Sequence, residues 1–363
     1  MISFIIPTRN RPEALRRTLG MIELCCERIA CDAEIIVIDN ASDEPVALAP
    51  GARSRLRVRL IRSNENIGAA ARNIGARQAS HDWIVMLDDD SFPLDSDFVQ
   101  ALREAPDDVV AIGAEIVLPD GSRERGGLPE VIIGCGAAIR REAFLAVGGY
   151  DPAFDYYAEE YDLCAKFILN GWRIVQDFRF RVRHEKLTQG RDFDRIVHRL
   201  VRNNSWVMQR YAPPWERDRE LGQITARYAV IAVKESAAVG FSRGMDDLLQ
   251  TLHAQPATPM SKSQWHRFTG FTHVGSHLKQ QRAVLGQAVA IVDAGKNEQV
   301  VRSAASELGI NIVEDEHEAD ALIIGTISPG PMLDGLKRRK GSSVPVICPW
   351  LPQHALQIAA SAA

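Results

Sequence analysis

Three adjacent carboxylates, Asp88, Asp89 and Asp90, follow an apolar run at residues 83–87. Like charges this close repel one another, so the cluster needs positive charge beside it. A divalent cation that grips diphosphate oxygens would supply that charge, because hard cations prefer carboxylate oxygens. Side chains alternate along a strand, which predicts Asp88 and Asp90 on one side and Asp89 on the other. A solvated acidic turn is the simpler alternative, and the buried strand before the cluster favours the cation.

Two other segments offer polar groups that could hold a nucleotide. Asp39 ends the apolar run at residues 34–38 and could accept a hydrogen bond from a base or a ribose, or cap its own loop as an Asx turn. Asn66 and Gly68 predict a tight turn at a helix start, where backbone N–H groups favour anions. Arg72 would then reach a phosphate, order the acidic loop or pair with a core carboxylate.

A third acidic group, Glu159, Glu160 and Asp162, opens a predicted helix. A general base must be a carboxylate beside the acceptor hydroxyl, whereas the simpler reading is charge that complements the helix dipole. His184 ends the last strand of this region. A single histidine is usually structural, but next to acidic residues it becomes a candidate metal ligand.

Alternating strands and helices position these residues. Apolar runs predict strands at residues 2–6, 34–38, 57–61 and 83–87, and helices begin at Pro12 and span residues 68–79. This order is typical of a mostly parallel sheet. The polar residues follow strand ends, where open α/β sheets bind ligands. Residues 109–184 mix strands, including residues 173–176 and 178–182, with helices at residues 141–147 and 161–170.

The rest of the chain divides into a helical part and a small α/β part. Residues 192–255 look helical, and residues 255–263 look like a linker rich in proline and small polar residues. Strands are predicted at residues 288–292, 311–313, 321–324 and 344–348, with helices at residues 298–308 and 332–340. The fold class is α/β. We expect three domains, at residues 1–190, 191–280 and 281–363.

The bulk composition is that of a globular protein. The chain has 363 residues, 46% of them hydrophobic, and a net charge of -4, which gives no electrostatic reason to expect nucleic acid as a partner. The six cysteines form no metal-binding pattern and predict core residues in a reducing compartment. The N-terminus lacks a signal-peptide pattern, and no run of 18 apolar residues predicts a transmembrane segment. We expect a cytoplasmic protein, with a peripheral contact to the inner membrane left open.

Ordered segments between residues 1 and 189 resemble family 2 glycosyltransferases with the GT-A fold. The segments that carry the resemblance are FIIPTRNRPEALRRTL, EIIVIDNASDE, NENIGAAARNIGARQA, WIVMLDDDSFP with its DxD pattern, IIGCGAAIRREAFLAVGGYDPAF, EEYDLCAKFILNGWRI and VRHEK. Any one of these segments would be a weak signal, but their order makes the resemblance specific.

The resemblance implies roles for particular residues. The nucleotide-sugar contacts it implies are Pro7, Thr8, Arg9, Asp39, Asn66, Gly68, Arg72, Asp88 and Asp89. The metal ligands it implies are Asp90, Asp88 and His184, and Gly134, Cys135 and Gly136 would line the acceptor side. Glu160 would be the general base. The family usually has Glu-Asp-x-Asp-Leu where this chain has Glu-Glu-Tyr-Asp-Leu, so Glu159 and Asp162 compete for that role.

The resemblance also implies the reaction. It would be an inverting transfer that needs Mn²⁺ or Mg²⁺ and moves a sugar to the hydroxyl of a saccharide, lipid-linked or small-molecule acceptor, as in polysaccharide or glycoconjugate biosynthesis. UDP is the commonest carrier in the family, and dTDP and GDP stay open. A sugar-phosphate nucleotidyltransferase would need a glycine-rich loop after the first strand, and residues 7–10 contain no glycine. A nucleotide-sugar-binding protein without turnover is the other alternative.

The last domain resembles small Rossmann-like units found in other sugar enzymes. Its glycine fingerprint is degraded, because residues 293–297 keep one glycine, Gly295, of the expected three. A structural role or a homo-oligomer contact is therefore favoured over a remaining ligand site.

Overall fold

The computed structural model of the protein describes residues 2–29, 33–47, 56–186, 192–352 and residue 355. Within these ranges the strands are β1 (Ile2–Thr8), β2 (Ala33–Asn40), β3 (Arg57–Ser63), β4 (Trp83–Met86), β5 (Ser91–Pro93), β6 (Val109–Val117), β7 (Ala137–Arg140), β8 (Arg173–His184), β9 (Ala288–Val292), β10 (Asn311–Val313), β11 (Ala321–Ile324) and β12 (Val346–Ile347). The helices are α1 (Pro12–Ile29), α2 (Ala71–Gln78), α3 (Phe98–Glu104), α4 (Arg141–Ala146), α5 (Glu159–Leu169), α6 (Phe193–Tyr211), α7 (Pro214–Lys234), α8 (Ala238–Thr251), α9 (Lys262–Phe268), α10 (Phe271–Gln280), α11 (Glu298–Glu307) and α12 (Pro329–Arg338).

The first eight strands form one sheet in the order β3-β2-β1-β4-β7-β6-β8-β5. Strands β3, β2, β1 and β4 run parallel to their neighbours in this group. Strand β7 pairs antiparallel with β4 and β6, and β5 pairs antiparallel with β8. Both faces are covered, so alternate residues enter different cores: Phe4 lies in the cluster with α1, and Ile5 in the cluster with α2. The predicted α/β fold and its mostly parallel sheet are therefore confirmed.

Helix α2 packs unusually close to this sheet, which explains its small residues. A Cβ atom on Gly75 would lie 2.6 Å from the side chain of Ile5. The element that was predicted as one helix over residues 68–79 begins as a 3₁₀ turn at Gly68–Ala70 before α2. The tighter turn brings Gly68, which has a φ of 60°, against the backbone of Asp155.

Strand β8 corrects the sequence-based prediction of two short strands at residues 173–176 and 178–182. It is a single strand, and its pairing with β6 shifts register between Ala114 and Glu115, opposite Asp177 and Arg181. A bulge of this kind takes up extra residues without ending the strand. The continuous strand carries His184 to the edge of the sheet beside β5.

Helices α6 to α10 follow the sheet. The predicted linker at residues 255–263 has no regular structure up to Met260, yet backbone hydrogen bonds from Thr258 to Arg210 and from Met260 to Tyr211 fix it against the end of α6. Ser261 then caps α9 in a capping box with Gln264. The segment is therefore attached to the helical part rather than spanning free solvent.

The C-terminal part has a four-stranded parallel sheet in the order β10-β9-β11-β12. It packs against the segment between β6 and β7: Arg123 forms an ion pair with Asp334 at 2.8 Å, and the Ser328 hydroxyl donates to the Gly127 carbonyl at 3.2 Å. The C-terminal part therefore contacts the segment between β6 and β7 through α12 and the residue before it.

None of the described helices combines the length and apolar character that crossing a bilayer requires. The cysteines of the described ranges, Cys25, Cys26, Cys135, Cys164 and Cys348, are all buried, as predicted, and Cys31 lies outside those ranges.

Candidate active site

The carboxyl ends of β1 and β4 bring the acidic cluster beside the first loop. The Thr8 hydroxyl donates to Asp89 at 2.8 Å. Arg11 forms ion pairs with both Asp89 and Asp90, each at 2.6 Å. Burial raises the pKa of Asp89 to about 7, against the opposing effects of Arg11 and Thr8. Arg11 was not singled out by sequence reasoning, although its place directly after β1 marked it as a neighbour of this edge.

Asp88 has a different partner. Arg72, which is buried, donates to the Asp88 carboxylate and, at 3.2 Å, to the Leu87 carbonyl. Burial works against the charge of Arg72, but Asp88 raises the arginine's pKa overall. Of the roles left open for Arg72, the structure shows the one in which it orders the acidic loop. Positive charge thus reaches the aspartates from two arginines of the protein itself.

The turn geometry of the acidic cluster replaces the strand geometry that was predicted. Strand β4 ends at Met86, so Asp88, Asp89 and Asp90 do not continue its alternation. Asp89 does face away, toward Thr8, but Arg11 joins it to Asp90. The separation of the carboxylates is therefore set by a turn and two arginines.

His184 lies where several acidic groups meet. Its Nε2 atom is 3.4 Å from Asp90, and its Nδ1 atom is 3.1 Å from Glu124. Burial would lower the pKa of His184, but Asp90, Cys135 and Glu124 raise it well above its ordinary value. Hydrogen bonds from His184 and Arg11 lower the pKa of Asp90, against the effect of its burial. The structure therefore brings together Asp90 and His184, which are distant in sequence.

Cys135, which was predicted to line the acceptor side, also lies beside His184. Its Sγ atom is 3.6 Å from Nδ1 of His184, and one ligand atom each from Asp88, Cys135 and His184 lie within 4.8 Å of one another. Carboxylate, thiol and imidazole together suit a divalent transition-metal ion. The donor set therefore fits a metal, with Cys135 as a member that the sequence did not suggest.

Glu124 is a further residue that sequence reasoning missed. Its carboxylate contacts His184 and, at 2.6 Å, Lys186. Burial opposes the charge, but these two partners lower the pKa of Glu124 to about 2. A carboxylate on the second ring nitrogen fixes the orientation of a ligating histidine. Glu124 lies in an irregular segment after β6, so no periodicity could have marked it.

The residues predicted to hold the nucleotide lie along the ends of β1 and β2. Pro7 is buried within β1, and Arg9 is exposed and contacts the Ala41 carbonyl and Asp43. Asp39 is 1% exposed and accepts hydrogen bonds from the backbone N–H groups of Ser42 and Val46. Its carboxylate thus fixes its own loop, as the Asx-turn alternative proposed, and a nucleotide contact by Asp39 stays a prediction.

The turn predicted at Asn66 and Gly68 is present. The side-chain oxygen Oδ1 of Asn66 accepts from the Gly68 N–H at 3.1 Å and from the Asn40 side chain at 2.9 Å. A Cβ atom on Gly68 would lie 2.3 Å from the Asp155 carbonyl oxygen, which requires glycine there. This turn therefore joins the end of β2 to the segment that precedes α5.

The acidic start of α5 separates three carboxylates that the sequence could not rank. Glu160 is half-buried, and its Oε1 atom accepts from the Gly134 N–H at 3.0 Å. Glu159 is 6% exposed, and burial raises its pKa well above the ordinary value, with Glu160 adding to the rise. Burial also raises the pKa of Glu160. Solvent access distinguishes Glu160 from Glu159.

Gly136, which was predicted to line the acceptor side, is buried against Ile116.

Asp162 is a structural residue, which corrects its place among the candidate bases. It is fully buried, and it accepts from the Tyr211 hydroxyl at 2.7 Å and from Arg210 at 2.9 Å. Lys166 is 2.6 Å from its other oxygen. A fully buried carboxylate whose oxygens contact two cations and a phenol has no path to an acceptor hydroxyl.

Asn203 of α6 holds the segment before α5 in place. Its Nδ2 atom lies 2.8, 2.9 and 2.8 Å from the carbonyl oxygens of Phe154, Tyr156 and Tyr157. Tyr157 and Ala158 have positive φ angles of 73° and 67°, which non-glycine residues seldom adopt. The helical extension therefore fixes the conformation from which α5 begins.

Comparisons with known proteins show what the sequence and the fold are similar to. Residues 3–131 match the model of the family described as glycosyl transferase family 2. An uncharacterized glycosyltransferase of Haemophilus influenzae is 29% identical over 194 residues, which are 46% of this chain and 62% of that protein. The pre-mycofactocin glycosyltransferase of Mycobacterium tuberculosis is 27% identical over 53% of this chain and 44% of its own length. The chain thus spans less than two thirds of these relatives.

The fold also matches a solved structure. The complex of residues 1-349 of S. aureus TarS with UDP-GlcNAc has a TM-score of 0.50 and 14% identity, over 85% of this chain and 92% of that one. The fold is therefore that of an α/β domain of the GT-A type. Over residues 3–131 the chain is similar to glycosyl transferase family 2.

Proposed function

We propose that the protein transfers a sugar from a nucleoside diphosphate sugar to an acceptor hydroxyl, with inversion and with a divalent cation. The observation that carries the proposal is the convergence of Asp88, Asp90 and His184 at one end of the sheet, with Glu160 accessible at the start of α5. We place the transfer in residues 1–190, with residues 191–280 supporting α5 and residues 281–363 packed against the loop before β7.

The cation would be held by Asp88 and His184, with Cys135 and Asp90 next to them. When bound, a divalent cation neutralises the charge that builds up on the leaving diphosphate. Glu124 would keep the His184 ring in position through its contact with Nδ1. Arg72 would keep Asp88 directed into the site, because its guanidinium holds both that carboxylate and the strand end.

The nucleotide would bind along the ends of β1 and β2. Thr8, Arg9 and the loop fixed by Asp39 border this edge, and Asn66 and Gly68 close it on the side of α2. The carboxyl ends of parallel strands are the usual place for a nucleotide in such sheets. UDP, dTDP and GDP are the carriers to test.

Glu160 is the residue that we propose as the general base. Its carboxylate is fixed at one oxygen by the Gly134 N–H, so the other oxygen can take the acceptor proton. Glu159 lies too deep for that role, and we propose that it stays protonated beside Glu160. The raised pKa of Glu160 suits a group that must hold a proton after the transfer.

The experiment has two stages. Thermal unfolding with Mn²⁺ and each nucleoside diphosphate identifies the carrier, because a ligand at about 100 times its Kd adds about 2.7 kcal/mol of stability. Sugar release from the matching nucleotide sugar is then measured for the wild type and for Glu160→Gln, Asp90→Ala and the exposed control Glu142→Gln.

We expect Glu160→Gln to lose about 10²–10⁴-fold in turnover while its nucleotide affinity stays that of the wild type. Asp90→Ala should lose both turnover and nucleotide affinity, and Glu142→Gln should lose neither. Wild-type turnover in Glu160→Gln would refute the assignment of the base. A wild type that binds none of the nucleotides would refute the proposed function.

A further inference from the structure

The donors of the candidate metal site include a sulfur atom. One ligand atom each from Asp88, Cys135 and His184 lie within 4.8 Å of one another, and Sγ of Cys135 is 3.6 Å from Nδ1 of His184. Bond lengths of about 2.0–2.3 Å place two ligands of one ion about 3–4.5 Å apart. Small side-chain movements would therefore close all three donors around a single ion.

Ser91 connects the three donors through the backbone. Its hydroxyl accepts from the Asp88 N–H at 2.8 Å and donates to the Cys135 carbonyl at 2.9 Å. In the pairing of β5 with β8, Ser91 lies directly opposite His184. Ser91 is fully buried, so these hydrogen bonds are shielded from water. One residue thus joins the three backbone positions that carry the donors.

The short loop that carries Cys135 is fixed on both sides. The Gly134 N–H donates to Glu160 at 3.0 Å, and a Cβ atom on Gly136 would lie 3.1 Å from the Ile116 side chain. Cys135 is 5% exposed and is a free thiol, so its sulfur can bind an ion without the breaking of a disulfide. The thiol is therefore held beside His184 by its own backbone.

A sulfur ligand changes the kind of ion that the site should prefer. The ligands that the resemblance implied, Asp90, Asp88 and His184, offer oxygen and nitrogen. Carboxylate and water ligands suit Mg²⁺, whereas a soft thiolate favours ions such as Zn²⁺. A set of one carboxylate, one imidazole and one thiolate is therefore closer to a zinc site than to a magnesium site.

We propose that Cys135 binds the cation as a thiolate, together with Asp88 and His184, and that the site selects an ion of the Zn²⁺ type over Mg²⁺. The thiol gives its proton to solvent when the ion binds. Three protein ligands leave the fourth position of a tetrahedral ion to an oxygen of the diphosphate. This inference rests on the proposed function for the role of the cation, but the ligation itself can be tested with the metal alone.

Co²⁺ is the first probe, because a bond between Co²⁺ and a thiolate has a charge-transfer absorption band in the near ultraviolet. Absorption titrations compare the wild type with Cys135→Ser and Cys348→Ser, first with the metal alone and then with a saturating nucleoside diphosphate. Cys348 is the matched control, because it is also a free thiol that is 5% exposed but lies directly after β12. We expect the band in the wild type and in Cys348→Ser, and its loss in Cys135→Ser.

Calorimetry with Zn²⁺ and with Mg²⁺ then measures the preference for the ion. Serine keeps the size of cysteine but offers a hard oxygen in place of sulfur, so Zn²⁺ affinity should fall at least about tenfold in Cys135→Ser. Mg²⁺ affinity should stay unchanged, and Cys348→Ser should bind both ions as the wild type does. Thermal unfolding without metal shows whether each variant is folded, and Cys135→Ala replaces the serine variant if that variant is not.

The ligation and the proposed function fail in different ways. Co²⁺ binding by the wild type without the band, a band that persists in Cys135→Ser, or no Co²⁺ binding at all would overturn the ligation. Equal Zn²⁺ affinities in the wild type and Cys135→Ser would overturn the selection of the ion. Sugar transfer by a protein that lacks the band would leave the proposed function standing without Cys135. A band that depends on Cys135 in a protein that binds no nucleotide would instead refute the proposed function and support the ligation.

Discussion

Replacement of Asn203 by alanine tests whether the helical extension controls the catalytic helix. The Asn203 side chain is fully buried, and its amide nitrogen contacts three carbonyl oxygens of the segment that precedes α5. An amide nitrogen carries two hydrogens, so these contacts amount to about two full hydrogen bonds. Their loss, with buried carbonyls left without a donor, should cost about 2–4 kcal/mol of unfolding free energy.

The same substitution should also reduce turnover. Tyr157 and Ala158 hold positive φ angles directly before α5, and such conformations persist only where the surroundings fix them. Without Asn203 the segment should relax and displace the first turn of α5, which carries Glu160. We expect turnover to fall about 10–100-fold, or about 1.4–2.8 kcal/mol of activation free energy, with nucleotide affinity little changed.

The assay combines thermal unfolding, nucleotide binding and single-turnover sugar release for Asn203→Ala. The adjacent Asn204→Ala is its control, because the Asn204 side chain donates to Leu200 of its own helix and to Tyr228, not to the segment before α5. A variant that is destabilised as expected but turns over within twofold of the wild type would refute the coupling. Equal losses in both variants would show a general effect of perturbing α6.

Other expected outcomes follow from the site and its supporting contacts. In Gly134→Ala the new Cβ atom would lie 2.9 Å from Oε1 of Glu160, so turnover should fall about tenfold or more while nucleotide binding stays intact. Gly20→Ala is the control, because a Cβ atom on Gly20 would have nothing within 4 Å. Equal activity in the two variants would contradict the contact between residue 134 and Glu160. Because burial raises the pKa of Glu160 and a base must be ionised, the single-turnover rate should increase with pH through a value above the ordinary glutamate pKa, and a pH-independent rate would exclude this role. Burial opposes the charge of Glu34, but hydrogen bonds from Ser80 and Ser3 lower its pKa, so Glu34→Gln should cost about 1–3 kcal/mol of unfolding free energy at neutral pH. That cost should disappear as the pH falls below the ordinary glutamate pKa and through the lowered one, which denaturant unfolding at several pH values would measure; a constant difference would show that ionisation of Glu34 plays no part.

Local sequence determined the elements of the first domain and most of their ends. The apolar runs that became β1, β2 and β4 are buried on both faces, and such runs have few other stable environments than a covered parallel sheet. The resemblance to the family also implied that Asp88, Asp90 and His184 would come together, as the distance between Asp90 and His184 and the cluster of ligand atoms show. The turn at Asn66 and Gly68 followed from local backbone preferences in the same way.

Tertiary structure decided what each polar group does, because partners distant in sequence set its charge and exposure. Asp162 and Glu160 lie two residues apart at the start of one helix, yet Arg210 and Tyr211 from α6 bury the first in a structural network and leave the second accessible. Cys135 and Glu124 come from irregular segments and reach His184 only in the folded chain. A sequence shows which groups are available, whereas the distances and the dielectric environment that select among them exist only after folding.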